Sequence, residues 1–144
     1  MIILYRPEGQ EPPQHFDVRS VRTSEAQIVQ RTTDMTWGQI KDGVRRDDPT
    51  AMRGVVWILM KRREATLRWS DFDPTVDELT SRYDAREVAA IAADIVQLPE
   101  EKQPATIAEL RQWALDPESV AAALQEAAQP PKDQPTTETS TPDV

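Results

Sequence analysis

Hydrophobic and polar positions change rhythm along the chain. Ile2-Ile3-Leu4-Tyr5 is a β-branched and aromatic run, and Phe16-Asp17-Val18-Arg19-Ser20-Val21 alternates apolar and polar residues, the period of a half-buried strand. Between them Pro7 to Gln14, with Pro12-Pro13, reads as a loop. These pieces predict a short N-terminal β-ribbon, which holds only if it packs on helices. From Ser24 the apolar spacing becomes helical. Trp37, Ile40 and Val44 share a face, as do Met52, Val55 or Val56, and Leu59. Val76, Leu79 and Tyr83 repeat the pattern, followed by Val88, Ile91, Ala92 and Ile95, then Val120, Ala121 and Leu124. The spacing predicts helices over 25–33, 37–46, 49–63, 74–82, 85–97, 107–114 and 117–128.

Helix-start signals recur at these places. Ser24 with Gln27, Thr36 with Gln39, Asp84 with Glu87 and Thr106 with Glu109 have the spacing of capping boxes. Asp48-Pro49, Asp73-Pro74 and Asp116-Pro117 each read as an N-cap followed by proline in the first turn. Val55 to Met60 is apolar all round and would also suit a buried strand. The Asp48-Pro49 start and the basic Lys61-Arg62-Arg63 end decide for a helix, because cations suit a helix C-terminus. That helix should be central, with Trp37, Ile40, Val56, Trp57 and Leu59 in the core. Gly54 inside it predicts a close helix crossing.

The fold class this implies is mainly all-α. Residues 1–23 are the extended segment, 24–97 the helical core, 98–105 a proline-containing linker and 106–128 further helices. Gln129 to Val144 holds four prolines and has no apolar residue before Val144. Such a segment cannot bury enough surface to offset its ordering entropy, so it is expected to be a disordered tail.

Composition narrows the chemistry. There is no cysteine and one histidine, His15, which removes disulfides, thiolate sites and a cysteine nucleophile and makes a Ser-His-Asp triad improbable. His15 is expected on an exposed loop. Asp71 and Asp73 lack the glycine and third ligand of a calcium loop, and the four glycines form no phosphate-binding loop. No catalytic constellation, metal site or cofactor is expected. The longest apolar run falls far short of the ~20 residues a membrane helix needs, and no basic-then-apolar leader opens the chain. A cytoplasmic, soluble protein is expected. The net charge of −8 is uneven: residues 1–83 carry 13 basic and 13 acidic side chains, so the whole excess lies in 84–144.

Two features are candidate surfaces. Arg45, Arg46, Arg53, Lys61, Arg62, Arg63 and Arg68 flank the helix pair 37–63, which could form a helix-turn-helix on DNA. Against this, the second helix reads Val-Val-Trp-Ile-Leu-Met where a recognition helix needs polar residues. The other feature is four tryptophans, of which Trp69 and Trp113 lie near segment ends where they could anchor a partner. An enzyme subunit or inhibitor with an acidic half that mimics nucleic acid is a third class.

The stretch Phe16-Asp17-Val18, Ser24-Glu25-Ala26, Arg31-Thr32-Thr33-Asp34-Met35-Thr36-Trp37, Met52 to Arg63, Trp69-Ser70-Asp71-Phe72-Asp73 and Val76-Asp77-Glu78-Leu79 resembles the tail assembly chaperones of long-tailed bacteriophages, especially those of actinobacterial hosts. The match covers about residues 15–83. Asp34 stands where the family usually has glycine, and aspartate tolerates a left-handed turn. The resemblance implies a non-enzymatic assembly factor that binds the tape-measure protein and keeps it soluble in the host cytoplasm, and that is absent from the finished virion. It also implies a longer frameshifted form whose extension recruits the tail-tube protein. Trp69, Phe72, Trp113, Arg62 and Arg63 are the candidate partner-binding residues. A homo-oligomer is left open, and neither membrane nor nucleic acid is expected as a partner.

Overall fold

The structure, a computed structural model, describes residues 1–130. The expected tail, from residue 131 on, lies outside the described residues. Three strands form an antiparallel sheet in the order β2-β1-β3: β1 (Ile2–Tyr5), β2 (Gln14–Asp17) and β3 (Leu79–Arg82). Six α-helices accompany them: α1 (Thr23–Thr33), α2 (Trp37–Arg45), α3 (Pro49–Met60), α4 (Ala85–Ile95), α5 (Gln103–Trp113) and α6 (Ser119–Ala128). The chain is therefore mainly helical, but not all-α.

The largest correction is β3. A helix was expected over 74–82, yet only a 3-10 turn forms at Val76–Glu78, and Leu79–Arg82 is a strand. The helical reading needed Val76 inside, and Val76 is 63% exposed. Leu79 and Ser81 are buried while Thr80 and Arg82 are half-buried, which is the period of a strand. Glu78 does reach back, accepting from the Thr75 N–H at 2.8 Å, but this cap closes a single turn. What decides is β1, which bonds to a strand on each side. Val18 N–H donates to Met1 C=O (3.3 Å) and Arg6 N–H to Glu78 C=O (2.9 Å). With the registers Ile3↔Phe16 and Leu4↔Thr80, odd residues of β1 bond to β2 and even ones to β3. The strand expected from Phe16 to Val21 instead ends at Asp17, where the Asp17 carboxylate accepts from Arg19 N–H (2.9 Å) and opens a 3-10 turn. His15 is exposed as expected, but it lies on β2 rather than a loop.

Three of the expected helix starts, at Thr36, Asp48 and Asp84, lie where their capping residues put them. Thr36 and Gln39 bond reciprocally (3.2 and 2.9 Å). Asp48 accepts from Ala51 N–H and Asp84 from Glu87 N–H, both at 2.9 Å. Two starts move. Ser24 is inside α1, whose first turn is closed by Glu25 accepting from Arg22 N–H (2.8 Å). Thr106 is inside α5 and donates to Lys102 C=O (3.0 Å). The segment 98–105 is accordingly no linker: a 3-10 turn at Glu100–Lys102 leads into α5, and Pro104 occupies its first turn, where a missing N–H costs nothing. Asp34 closes α1 in the left-handed region, at φ 56.

Two apolar clusters result. The first gathers Ile3, Val18, Val29, Ile40, Val44, Phe72 and Leu79 around α3, in which every residue from Ala51 to Leu59 except Arg53 is buried. Ile40, Val56, Trp57 and Leu59 are core as expected, whereas Trp37 is only half-buried and packs on the rim. α1 crosses α3 at Gly54, where an added Cβ would stand 2.8 Å from Val29 Cγ1 and 3.2 Å from Thr33 Cγ2. The second cluster is Val88, Ile95, Leu110, Ala114 and Val120. It places α4 with α5 and α6, not with the central helices. Tyr83 packs against both clusters.

Candidate functional site

The basic end of α3 is where most candidate residues meet, and the structure gives several of them internal work. Arg53, one turn into α3, reaches across to the segment 69–72. Its Nε donates to Phe72 C=O at 2.6 Å and an Nη to Trp69 C=O at 2.8 Å. Its guanidinium carbon lies 3.8 Å from the Trp69 ring centroid, in the cation–π range. Trp57, one turn further on, stacks edge-to-face on Trp69 at 5.4 Å and donates its indole N–H to Leu67 C=O at 3.2 Å. Lys61 donates to Ala65 C=O (3.1 Å) and Leu67 C=O (3.0 Å). Arg53 and Trp57 on α3, with Lys61 just past its end, thus bond carbonyls of a segment whose one regular piece is a 3-10 turn at Trp69–Asp71.

Arg62 is committed as well. Its Nε and an Nη bond both oxygens of Glu25 at 2.9 and 2.6 Å, and the same Nη bonds Ser20 C=O at 2.7 Å. That bond from Arg62 holds the Glu25 carboxyl below its ordinary value, against the opposing effect of burial and with help from Arg22 N–H. Phe72, expected to face a partner, is buried and stacks edge-to-face on Tyr5 at 5.5 Å. Trp69 is half-buried, and Arg63 and Arg68 are exposed. Arg45 pairs with Asp42 on the surface at 3.2 Å.

Two concavities are lined by candidate residues. The first, about 530 Å³, runs between β2 and the end of α3, with Leu59 and Met60 beside Phe16 and with Arg62 and Arg63 on its wall. The second, about 290 Å³, lies at the seam of the two clusters and is lined by Arg45, Arg46, Arg82, Glu109 and Trp113, among others. Trp113 is half-buried there, with the Arg82 guanidinium 5.5 Å from its ring. Trp69, Phe72, Arg62 and Arg63 therefore share the end of α3, and Trp113 stands apart. Sequence reasoning passed over Arg82 and the β2 residues, because their placement depends on the pairing of β3 and β2 with β1.

The seam is closed by polar contacts. Tyr83 N–H donates to Trp113 C=O (2.8 Å), and Tyr83 C=O accepts from Leu115 N–H (2.9 Å). Asp84, the N-cap of α4, accepts from the Met1 amino group at 2.9 Å, and Glu87 contacts the same nitrogen. Burial alone would raise the Asp84 carboxyl. The bonds from the amino group and from Glu87 N–H outweigh it and hold the pKa at about 2.

No family model matches the chain, and no curated protein or solved structure matches it. Among the described residues no helix is long and apolar enough to cross a membrane.

Proposed function

We propose that the chain is a tail assembly chaperone of a long-tailed bacteriophage, which binds the tape-measure protein and keeps it soluble while the tail tube is built. The observation that carries this reading is that the residues of the resemblance, dispersed from Phe16 to Leu79, pack as one frame. Gly54, Trp57 and Arg53 on α3 hold α1 and the Trp69–Phe72 segment, and Asp34 and Thr36 set the turn into α2. Motifs that are separate in sequence thus act as one structural unit.

The mechanism is shielding. A long helical client exposes apolar stripes, and the chaperone covers them until tube subunits take its place. The half-buried indoles of Trp69 and Trp113 and the exposed Arg63 are the contact residues that remain available, because Phe72 and Arg62 serve the frame. The protein acts without catalysis in the host cytoplasm and leaves before the virion is complete. A longer frameshifted form carries the tube-recruiting extension. A duplex-binding role gains no support from α3, since a helix buried from Ala51 to Leu59 except at Arg53, which is itself bonded to Trp69 and Phe72, has no face to lay in a major groove.

Co-expression tests the proposal. A tape-measure fragment should become soluble and co-purify with the chain. The complex should survive salt near 0.5 M, because apolar contacts are not screened. Retention on a generic duplex that collapses with added salt, with no client captured, is the result that overturns it.

A further inference from the structure

We propose that the chain self-associates through β2, two copies pairing antiparallel about a two-fold axis at Phe16 to make one continuous six-stranded sheet. The proposal stands independently of the chaperone reading and starts from the unlike edges of the sheet.

The bonding phase set by β1 points Leu79, Ser81 and Tyr83 of the β3 side outward. The N–H of each is taken, that of Leu79 by Val76 C=O. Ser81 N–H and its hydroxyl donate to the Asp47 carboxylate at 2.9 and 2.6 Å, and Tyr83 is bonded on both sides to the 113–115 segment. Asp47 holds a left-handed backbone, φ 54, to stand there. The same phase points His15 and Asp17 of β2 outward. Among the described residues no group accepts from either N–H or donates to His15 C=O. Asp17 C=O takes only the Ser20 hydroxyl, at 2.8 Å, and keeps a second lone pair. An edge left open in this way is a template for another strand. The 530 Å³ groove runs along it, with Leu59 and Met60 beneath.

The strand that fits is β2 itself. With the axis at Phe16, His15 faces Asp17 of the other copy, and each such pair exchanges two backbone hydrogen bonds. The imidazole then stands directly across from a carboxylate, twice in the dimer. Phe16, on the other face, meets its own copy at the closely spaced non-bonded position, over the apolar groove floor. Neighbouring registers are worse. An axis at His15 sets Asp17 against Pro13, which has no N–H to give, and an axis at Asp17 sets two carboxylates face to face. The sequence Pro13-Gln14-His15-Phe16-Asp17 therefore selects a single register.

The test is the mass of the full chain by sedimentation across a concentration series. The expected result is a monomer–dimer equilibrium about the 16.3 kDa chain. His15→Asp places like charges at both cross-strand pairs and should weaken the dimer about tenfold. Its melting temperature as a dilute monomer should be unchanged, since His15 is exposed. Asp17→His should weaken the homodimer too. An equimolar mixture of the two variants should restore dimerisation, because the mixed pair is complementary at both positions. Overturning results are a wild-type chain that stays monomeric at every concentration, or a dimer indifferent to both substitutions. A chain that stays monomeric while an added tape-measure fragment protects the His15 and Asp17 amides from exchange would give the edge to a foreign strand, and would also overturn the proposal.

Discussion

In the N-terminal body, residues 1–83, polar side chains reach far along the chain: Arg53 to Trp69 and Phe72, Arg62 to Glu25 and Ser20, Asp47 to Ser81. In the C-terminal helix unit, residues 84–130, Asp84 and Glu87 reach Met1 across the seam, and the rest stay close to home, as with Gln103 to Leu98, Thr106 to Lys102 and Ser119 to Asp116. The charge differs in step. The body balances 13 cations against 13 anions, while 84–130 carries three against nine. The body contains a long irregular segment after α3, and irregular backbone needs side-chain donors if its carbonyls are to be buried. The helix unit satisfies its own backbone and needs only an apolar stripe on each helix. Arg53, Lys61 and Arg62 of the body are thus structural parts, whereas the anions of the helix unit sit mainly on exposed positions.

Breaking the body should show this most clearly. Trp57→Ala removes a core indole, the partner ring of Trp69 and the donor to Leu67, and should cost about 3–5 kcal/mol. Hydrogen exchange should then open residues 49–72 first. The matching change in the helix unit, Leu110→Ala, should cost about 2–4 kcal/mol and open α4–α6 first. If either substitution loosened both halves equally, the contrast would fail. Arg53→Met keeps the aliphatic stem but removes the donor to Phe72 C=O and one of the two donors to Trp69 C=O, which also accepts from Phe72 N–H at 3.3 Å. It should cost about 2–3 kcal/mol in chemical denaturation, and an unchanged midpoint would show that the irregular segment does not depend on its tether.

The seam offers a pH test. Asp84 titrates at about 2 when folded and at 3.8 in its ordinary state, so its ionised form is favoured by folding. That contribution, on the order of 2 kcal/mol, is complete above pH 4 and is lost as pH falls through 2. Melting curves of wild type and Asp84→Asn should converge across that window, and a constant gap would mean that the carboxylate does not join the halves. The smallest effect belongs to Arg45→Ala. Its pair with Asp42 is exposed on both sides, and the midpoint should move by less than about 0.5 kcal/mol. A larger loss would give this surface cation a structural role like that of Arg53.

Legibility followed the same division. Thr36 with Gln39, Asp48 before Pro49, and Asp84 with Glu87 mark real helix starts because caps are local chemistry. Gly54 announced a crossing because nothing else explains glycine in an apolar helix. The larger failures were non-local. Leu79-Thr80-Ser81-Arg82 suits a helix or a strand, and only β1 decides between them. Prolines at 99 and 104 suit a linker or a helix start, and the packing of Leu110 on Val88 and Val120 decides that. At the candidate site, Arg62 and Arg63 look alike in sequence. Only the position of Glu25, on another helix, makes one a tether and leaves the other exposed. Phe72 misled for the same reason, since its partner Tyr5 lies at the far end of the body.

The placement of β1 between β2 and β3 also sets a timetable for synthesis. Ile2 pairs with Arg82, so the earliest strand to leave the ribosome waits for almost the whole body before its sheet can close. Until then Ile3, fully buried in the finished protein, has no complete shelter. Helices α1 to α3 can form on the way out, but the body should gain protease resistance only once Leu79 to Arg82 have emerged, and then abruptly.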